Sequence, residues 1–367
     1  MTAVMVPGPT DENLPKQVEA ILADHFATRR ADIEAIGADF AEAVDALAGF
    51  VLGGGKRIRP TFAWWGWRGA GGDPDSADAG AVLTALSALE LVQAGALLHD
   101  DLMDASAVRR GAPTMHVTFA RRHREQDWLG DPERFGLATA LLLGDVALAW
   151  ADDLFHGAGL PARTLAAALG PWRAMRAEVL GGQYVDVLTQ ARGDSSIEAA
   201  LRVDRFKTAA YTVERPLHLG AALGGGGPEL VDAFRRFGAD VGIAFQLRDD
   251  LLGVFGDPEV TGKPAGDDLR EGKRTLLMAL GLNLADMAGR PADAALLRSC
   301  LGRADLAEAE VDTVRAVLIG VGAVAAVEQR ISALTEAGLA ALRAGPVPEP
   351  VRGQLAELAI SATDRDR

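Results

Sequence analysis

Residues 79–103, AGAVLTALSALELVQAGALLHDDLM, are apolar almost throughout and end in Asp100 and Asp101, with Asp104 just beyond. A run of this length without strand-type alternation reads as a helix, and one apolar on nearly every side belongs inside a bundle. Carrying three carboxylates to the end of such a helix is costly unless something neutralises them. Asp100 and Asp104 are four apart, so they share a face at about 6 Å from each other. Two hard oxygen ligands, with no His or Cys on that face, suit Mg²⁺ when phosphate supplies the remaining ligands. A solvated acidic helix end is the plainer reading of the same residues.

A second stretch, FRRFGADVGIAFQLRDDLLGVF at 234–255, reads as another interior helix and carries Gln246, Asp249 and Asp250 at three- and four-residue spacing. Two such helices facing each other across a cavity would set carboxylate against carboxylate, which calls for a cation between them or raised pKa values. Cations stand near both clusters. Gly54-Gly55-Lys56-Arg57-Ile58-Arg59-Pro60 is a glycine-led basic loop entering a helix, and Arg109-Arg110-Gly111 follows the first cluster. Lys207-Thr208, Lys263 and Lys273 flank the second. Glycine lets backbone N–H groups approach an anion, and Arg pairs match phosphate oxygens. Each cation alone reads as ordinary surface charge; together they describe a binder of Mg²⁺-diphosphate.

The rest of the chain agrees. Val/Ile/Thr alternation is almost absent, and apolar residues recur at helical spacing over 16–51, 57–70, 76–105, 136–157, 161–190, 197–223, 228–255, 273–287, 293–301, 307–344 and 348–362. Gly and Pro clusters punctuate these runs. No repeat or composition break marks a second domain, so the expectation is one all-α domain, a single-domain helical bundle around a deep central cavity, over residues 16–367 behind a flexible tail at 1–15. Asp73 and Asp194 are expected to cap helices. The longest apolar run, 316–327, is too short to span a bilayer, which needs about 20 residues, and no transmembrane segment is expected. The formal charge of −14 over 367 residues argues against a nucleic-acid or anionic-membrane binder. The lone Cys300 forms no internal disulfide and fits a reducing, cytoplasmic setting as a buried thiol. The cluster of Trp64, Trp65 and Trp67 reads as packing, and His99 as structural.

These motifs, with LLLGD at 141–145, GGQYVD at 181–186 and FQLRDDLLGVFGDPEVTGKPAGDDLREGK at 245–273, resemble in order the trans-type isoprenyl diphosphate synthases, or polyprenyl synthetases. The likeness covers about residues 20–345 and is nearest to bacterial geranylgeranyl diphosphate synthases. It implies an isoprenoid synthase fold and a homodimer. It also implies a Mg²⁺-dependent transferase, with Mn²⁺ as a substitute, that condenses isopentenyl diphosphate with an allylic diphosphate. On this resemblance Asp100, Asp104 and Asp249 hold metal and Asp250 supports them. Lys56, Arg59, Gln93 and Arg110 bind isopentenyl diphosphate. Arg109, Lys207, Thr208, Gln246, Lys263 and Lys273 bind the allylic diphosphate. Gly95 and Ala96, both small, leave the cavity floor open for a geranylgeranyl product. Farnesyl and longer polyprenyl products are the alternatives.

One departure stands out: the family's second DDxxD motif has Gly253 in its last position, and Asp257 is the residue that could compensate. Asp267-Asp268 are read as supporting the nearby lysines. Two rival functions follow from the same residues. A class I terpene cyclase would need no second diphosphate site, against which the GGKRIRP loop and Arg110 argue. A non-catalytic partner subunit would follow if Gly253 abolished metal binding.

Overall fold

The computed structural model describes residues 11–257 and 266–363. It is all-α, as expected. In chain order the elements are α1 (Leu14–Thr28), α2 (Arg30–Ile36), α3 (Ala38–Leu52), α4 (Ile58–Gly69) and α5 (Ala79–Met103), then a hairpin of β1 (Val108–Arg109) and β2 (Ala112–Pro113). Next come α6 (Met115–Glu125), α7 (Pro132–His156), α8 (Ala162–Arg192), α9 (Ile197–Val203), a π-helix (Asp204–Glu214), α10 (Arg215–Leu223) and α11 (Pro228–Phe255). The chain closes with α12 (Asp267–Glu271), α13 (Leu276–Met287), α14 (Pro291–Cys300), α15 (Glu308–Gly320), α16 (Ala323–Ala344) and α17 (Glu349–Thr363).

Two apolar cores organise the bundle. The larger gathers α1, α3, α4, α5, α7, α8 and α10 with the first half of α11. The smaller gathers α13 to α16 around the second half of α11. Helix α11 therefore runs through both, and its carboxylates fall in the second. Helix α5 is the central rod of the first core, with Leu86, Ala88, Leu89, Leu91 and Val92 fully buried. By length and composition both α5 and α7 could cross a membrane, but α5 is 72% buried in its most apolar window and is a core helix. Helix α7 is 33% buried there and exposes Leu137, Leu141 and Leu142, while α8 exposes Leu180, Tyr184 and Val187.

The structure breaks two of the long runs expected from the sequence. The 16–51 run divides at Arg29 and at Gly37, and the 307–344 run divides at Gly322, whose φ of +84° ends the apolar stretch at 316–327 as a turn between α15 and α16. Residues 11–15, expected in the tail, belong to the fold: α1 starts at Leu14, and Asp11 accepts from Trp64 Nε1 at 2.8 Å and pairs with Arg68 at 3.0 Å. Residues 1–10 lie outside the described residues. The hydroxyl of Ser196, not Asp194, caps α9, and Asp73 holds a turn ahead of α5. The tryptophans pack as expected, Trp64 against Trp67 at 4.7 Å between ring centroids, and Cys300 is buried.

Three glycines decide where the π-helix sits. Gly182 of α8 lies against the backbone of Lys207, Gly238 of α11 against Glu214, and Gly242 against Ala209, each so close that a Cβ would overlap main-chain atoms. Only helices with bare patches can approach a wide helix this closely.

Candidate active site

A cavity of about 750 Å³ opens between the C-terminal ends of α5 and α11. Its surface includes Asp100, Gln93 and Ala96 from α5, Asp249, Asp250 and Gln246 from α11, and Lys207 and Thr208 from the π-helix. The glycine-led loop contributes Lys56 and Arg57, the first turn of α4 Arg59, and the hairpin Arg109 and Arg110. Asp100 and Asp249 thus share one hollow, as the sequence reading requires.

The α5 wall is tightly compensated. Lys207 Nζ is 2.9 Å from Asp100 Oδ1 and 2.5 Å from Asp186. Arg109 spans Asp100 at 3.1 Å and Asp101 at 2.7 Å. Burial works against the Asp100 carboxylate, yet Lys207, Lys273 and Arg109 together hold it well below the usual range. The Asp100 and Asp186 carboxylates in turn push the Lys207 ammonium upward against burial. Asp104 is not part of the cavity surface. It lies 3.4 Å from Lys273 Nζ, which also meets Asp268 at 3.3 Å and Glu271 at 2.7 Å. Burial, then the neighbouring Asp100, raises the Asp104 carboxyl to about 6.

The α11 wall is compensated differently. Thr208 donates to Gln246 Oε1 at 2.6 Å, and Gln246 Nε2 donates to Asp250 Oδ1 at 2.7 Å. Asp250 Oδ2 and Asp204 Oδ2 are buried without a hydrogen-bond partner. Burial, then repulsion from Asp204 and Asp268, pushes Asp250 well up, and burial with Asp186 raises Asp204 to about 8. Asp204 is a cavity residue that the sequence reading passed over, because a single acid before Lys207 gives no pattern.

Gly253 has a structural answer. A Cβ there would overlap the Asp268 carboxylate, which packs over the glycine from α12. Asp268 and Asp267 both face the cavity, whereas Asp257 is exposed and outside it. The Asp268 carboxylate thus stands where a side chain at position 253 would project. Lys263 lies outside the described residues.

The floor holds a second surprise. Ala96 faces the cavity, but Gly95 does not: a side chain at 95 would run into Leu148 and the carbonyl of Gly144 on α7. Gly95 is the point where α5 crosses α7. His99 packs on the same crossing, 3.2 Å from the Leu141 carbonyl. A side hollow of about 370 Å³, with Val92, Leu148 and Leu180 in its walls, lies behind Val179, which borders both spaces.

A metal fits this donor set. All candidate ligands are carboxylate oxygens, buried ones among them, such as Asp250 Oδ2, lack a hydrogen-bond partner, and among the described residues no three Asp, Glu, His or Cys side chains converge to hold an ion unaided. An ion here would take its other ligands from water or diphosphate, which is the habit of Mg²⁺.

A model of the polyprenyl synthetase family matches residues 41–318, more than half of the chain. The chain belongs to that family. This polyprenyl synthetase is accordingly a transferase of prenyl groups. Its fold superposes with a TM-score of 0.94 on the Corynebacterium glutamicum geranylgeranyl pyrophosphate synthase complexed with isoprenyl diphosphate and magnesium. The two are 48% identical, over 98% of this chain and 100% of that one. The Aeropyrum pernix geranylfarnesyl diphosphate synthase is 35% identical over 248 residues, 66% of this synthetase and 72% of that protein. A Mycobacterium bovis (2E,6E)-farnesyl diphosphate synthase is 36% identical over 236 residues, 64% of this chain and 59% of its own length.

Proposed function

We propose that this synthetase condenses isopentenyl diphosphate with an allylic diphosphate to give all-trans geranylgeranyl diphosphate, in a Mg²⁺-dependent reaction. The carrying observation is that one cavity gathers two carboxylate walls with the cations of the glycine-led loop, the hairpin and the π-helix. Lys56, Arg59, Gln93 and Arg110 form the cradle for isopentenyl diphosphate. Arg59 is preset for it, its guanidinium 4.0 Å over the Tyr211 ring and donating to Thr212 at 2.9 Å. Arg109, Lys207, Thr208, Gln246 and Lys273 meet the allylic diphosphate, with Lys263 reserved by resemblance for the same role.

Asp100, Asp104 and Asp249 would hold Mg²⁺, with Asp250 and Asp268 supporting. When bound, Mg²⁺ supplies charge neutralisation of the departing diphosphate, which favours C–O cleavage. Lys207 and Lys273, held above the ordinary lysine range by their carboxylate partners, exchange these for phosphate oxygens, which favour the charged form in the same way. The basic cradle orients the isopentenyl double bond toward the allylic carbon. The apolar walls, including Leu97 and Val179, keep water from the developing cation. No side chain is needed as the final base, because the released diphosphate can accept the proton.

Ala96 supports a product longer than farnesyl, since it adds no bulk to the floor. The hollow behind Val179 favours a second reading, a longer polyprenyl product, if that wall yields. We assign the exposed apolar face of α7 and α8 to a homodimer interface. It would shield apolar surface that a monomer rarely leaves open. Incubation of the purified chain with Mg²⁺, labelled isopentenyl diphosphate and dimethylallyl, geranyl or farnesyl diphosphate, with products resolved by length, tests the assignment. A geranylgeranyl product upholds it, and the absence of any condensation removes it.

A further inference from the structure

Arg57 and Glu90 form a buried pair that the reaction described above does not use. Arg57 Nη1 donates to Glu90 Oε2 at 2.8 Å, and their side chains are 4% and 5% exposed. Both border the cavity. Glu90 is the one acid in a stretch of α5 otherwise given to Leu, Ala and Val. The pair is only half satisfied: Arg57 Nε and Nη2 and Glu90 Oε1 are buried with no hydrogen-bond partner. A buried ion pair left in this state is a poor way to stabilise a fold, and an apolar pair of similar volume would serve as well or better.

The backbone is held against preference at the same place. Arg57 has φ +48° at the entry to α4, and Arg110 has φ +53° in the hairpin turn, where Gly111 follows at φ +73°. A two-residue hairpin with both φ positive favours Asn or Gly first, not Arg. Two arginines in left-handed backbone, 53 positions apart in sequence, converge on one point. A Cβ built on Gly55 would lie 3.7 Å from both terminal nitrogens of Arg110 and 3.9 Å from Arg57 Nη1. Strain concentrated on groups that meet over a glycine marks a site rather than a scaffold. The charges explain why an acid is present. Burial and the neighbouring Arg109, Arg57 and Arg59 oppose the charge on Arg110, and Glu90 counters them.

We propose that Glu90 and Arg57 are a positioning pair of the isopentenyl diphosphate subsite: Glu90 holds the Arg57 guanidinium over Gly55, where it joins Arg110 in receiving the diphosphate. The pair extends the cradle beyond Lys56, Arg59, Gln93 and Arg110. This inference rests on the reading of that cradle given above. Before substrate arrives, Glu90 is the anion that keeps these arginines together, and the diphosphate then brings the larger charge.

Steady-state kinetics of the full-length chain with Mg²⁺, isopentenyl diphosphate and geranyl diphosphate test it, on Arg57→Gln, Arg57→Lys and Glu90→Gln. The KM for isopentenyl diphosphate should rise on the order of tenfold or more in Arg57→Gln, and about threefold to tenfold in the other two. The KM for geranyl diphosphate should stay within about twofold. The double variant should be no worse than Arg57→Gln, since the acid acts through the arginine. If Arg57→Gln does not fold, the same KM split in Arg57→Lys and Glu90→Gln decides the matter. Variants that melt earlier while both KM values stay unchanged, or move together, reduce the pair to a structural bridge and overturn the proposal. Failure of the underlying reading is separate: the unmodified chain would then not consume isopentenyl diphosphate at all.

Discussion

The two carboxylate walls of the cavity are built alike and charged differently. Each stands near the C-terminal end of a long interior helix, where the helix dipole already disfavours anions. On α5, Lys207, Lys273 and Arg109 answer the acids, and Asp100 is an anion in the folded protein. On α11, Asp250 is met by the Gln246 amide and by neighbouring carboxylates, and the adjoining Asp204 by burial and Asp186 against the weaker pull of Arg330 and Lys207; both hold protons more tightly than free acids do. Asp100 is thus neutralised by the protein itself, whereas Asp250 and Asp204, like Asp104 beyond the cavity surface, hold their protons until charge arrives from outside. The difference teaches how such a site survives empty: two unanswered walls would repel, and two fully answered ones would leave a cation no purchase.

Neutralising one residue on each wall should give opposite stability effects. Asp100→Asn should cut kcat by about 10³-fold or more. It should also cost about 3 kcal/mol of stability, because Lys207 and Arg109 lose their buried anion. Asp204→Asn should instead stabilise the metal-free protein at pH 8. Equal destabilisation by both substitutions in urea denaturation would break the comparison.

The pH profile sharpens it. Asp204 and Asp104 keep protons in the folded state that the unfolded chain has already released above the ordinary carboxylate range. Their contribution to stability is therefore present at low pH and is lost as pH rises, through about 6 for Asp104 and about 8 for Asp204. The slope is at most ~1.4 kcal/mol per pH unit for each group. Asp204→Asn should flatten the upper part of this fall; a metal-free wild type equally stable at pH 6 and pH 9 would contradict the assignment.

Ligand should favour the deprotonated wall. Mg²⁺ with inorganic pyrophosphate at a hundredfold excess over its Kd should add about 2.7 kcal/mol. The gain in melting temperature should be greater at pH 8.5 than at pH 6, and smaller in Asp268→Asn than in wild type. Thermal shift with the metal alone and with both measures it. The smallest effects concern the floor. Ala96→Phe should shorten the product by chromatography, while Gly95→Ala should leave product length unchanged and cost ~1–3 kcal/mol through overpacking against Leu148.

Much of this was legible in the residues, and what was not has a common cause. The runs at 79–103 and 234–255 declared themselves as interior helices because their apolar character and their acids are local in sequence. The acids at the ends of both helices and most of the cavity cations followed for the same reason. Gly95 was misplaced because helical spacing cannot tell which side of an all-apolar helix meets a cavity and which meets α7. Asp268 meets Lys273 as read, but its closeness to Gly253 was not legible because it depends on a fold-back of the chain, nor was the pairing of Arg57 with Glu90, which are 33 residues apart. Helix α6 escaped notice because Met115, Phe119 and Ala120 are its few buried apolar residues in a basic segment. The π-helix escaped because a slightly wider period is invisible over eleven residues.

That wide helix makes segment length a functional variable. Lys207 and Thr208 reach the cavity while the same segment stays pressed between the bare patches of α8 and α11. Removing one residue between Asp204 and Glu214 would let the coil tighten toward α-helical geometry and rotate its leading end by about 100°. The lysine would then turn away from both carboxylates with every side chain in the segment still of the right kind. In this region an alignment gap is a more serious lesion than a substitution.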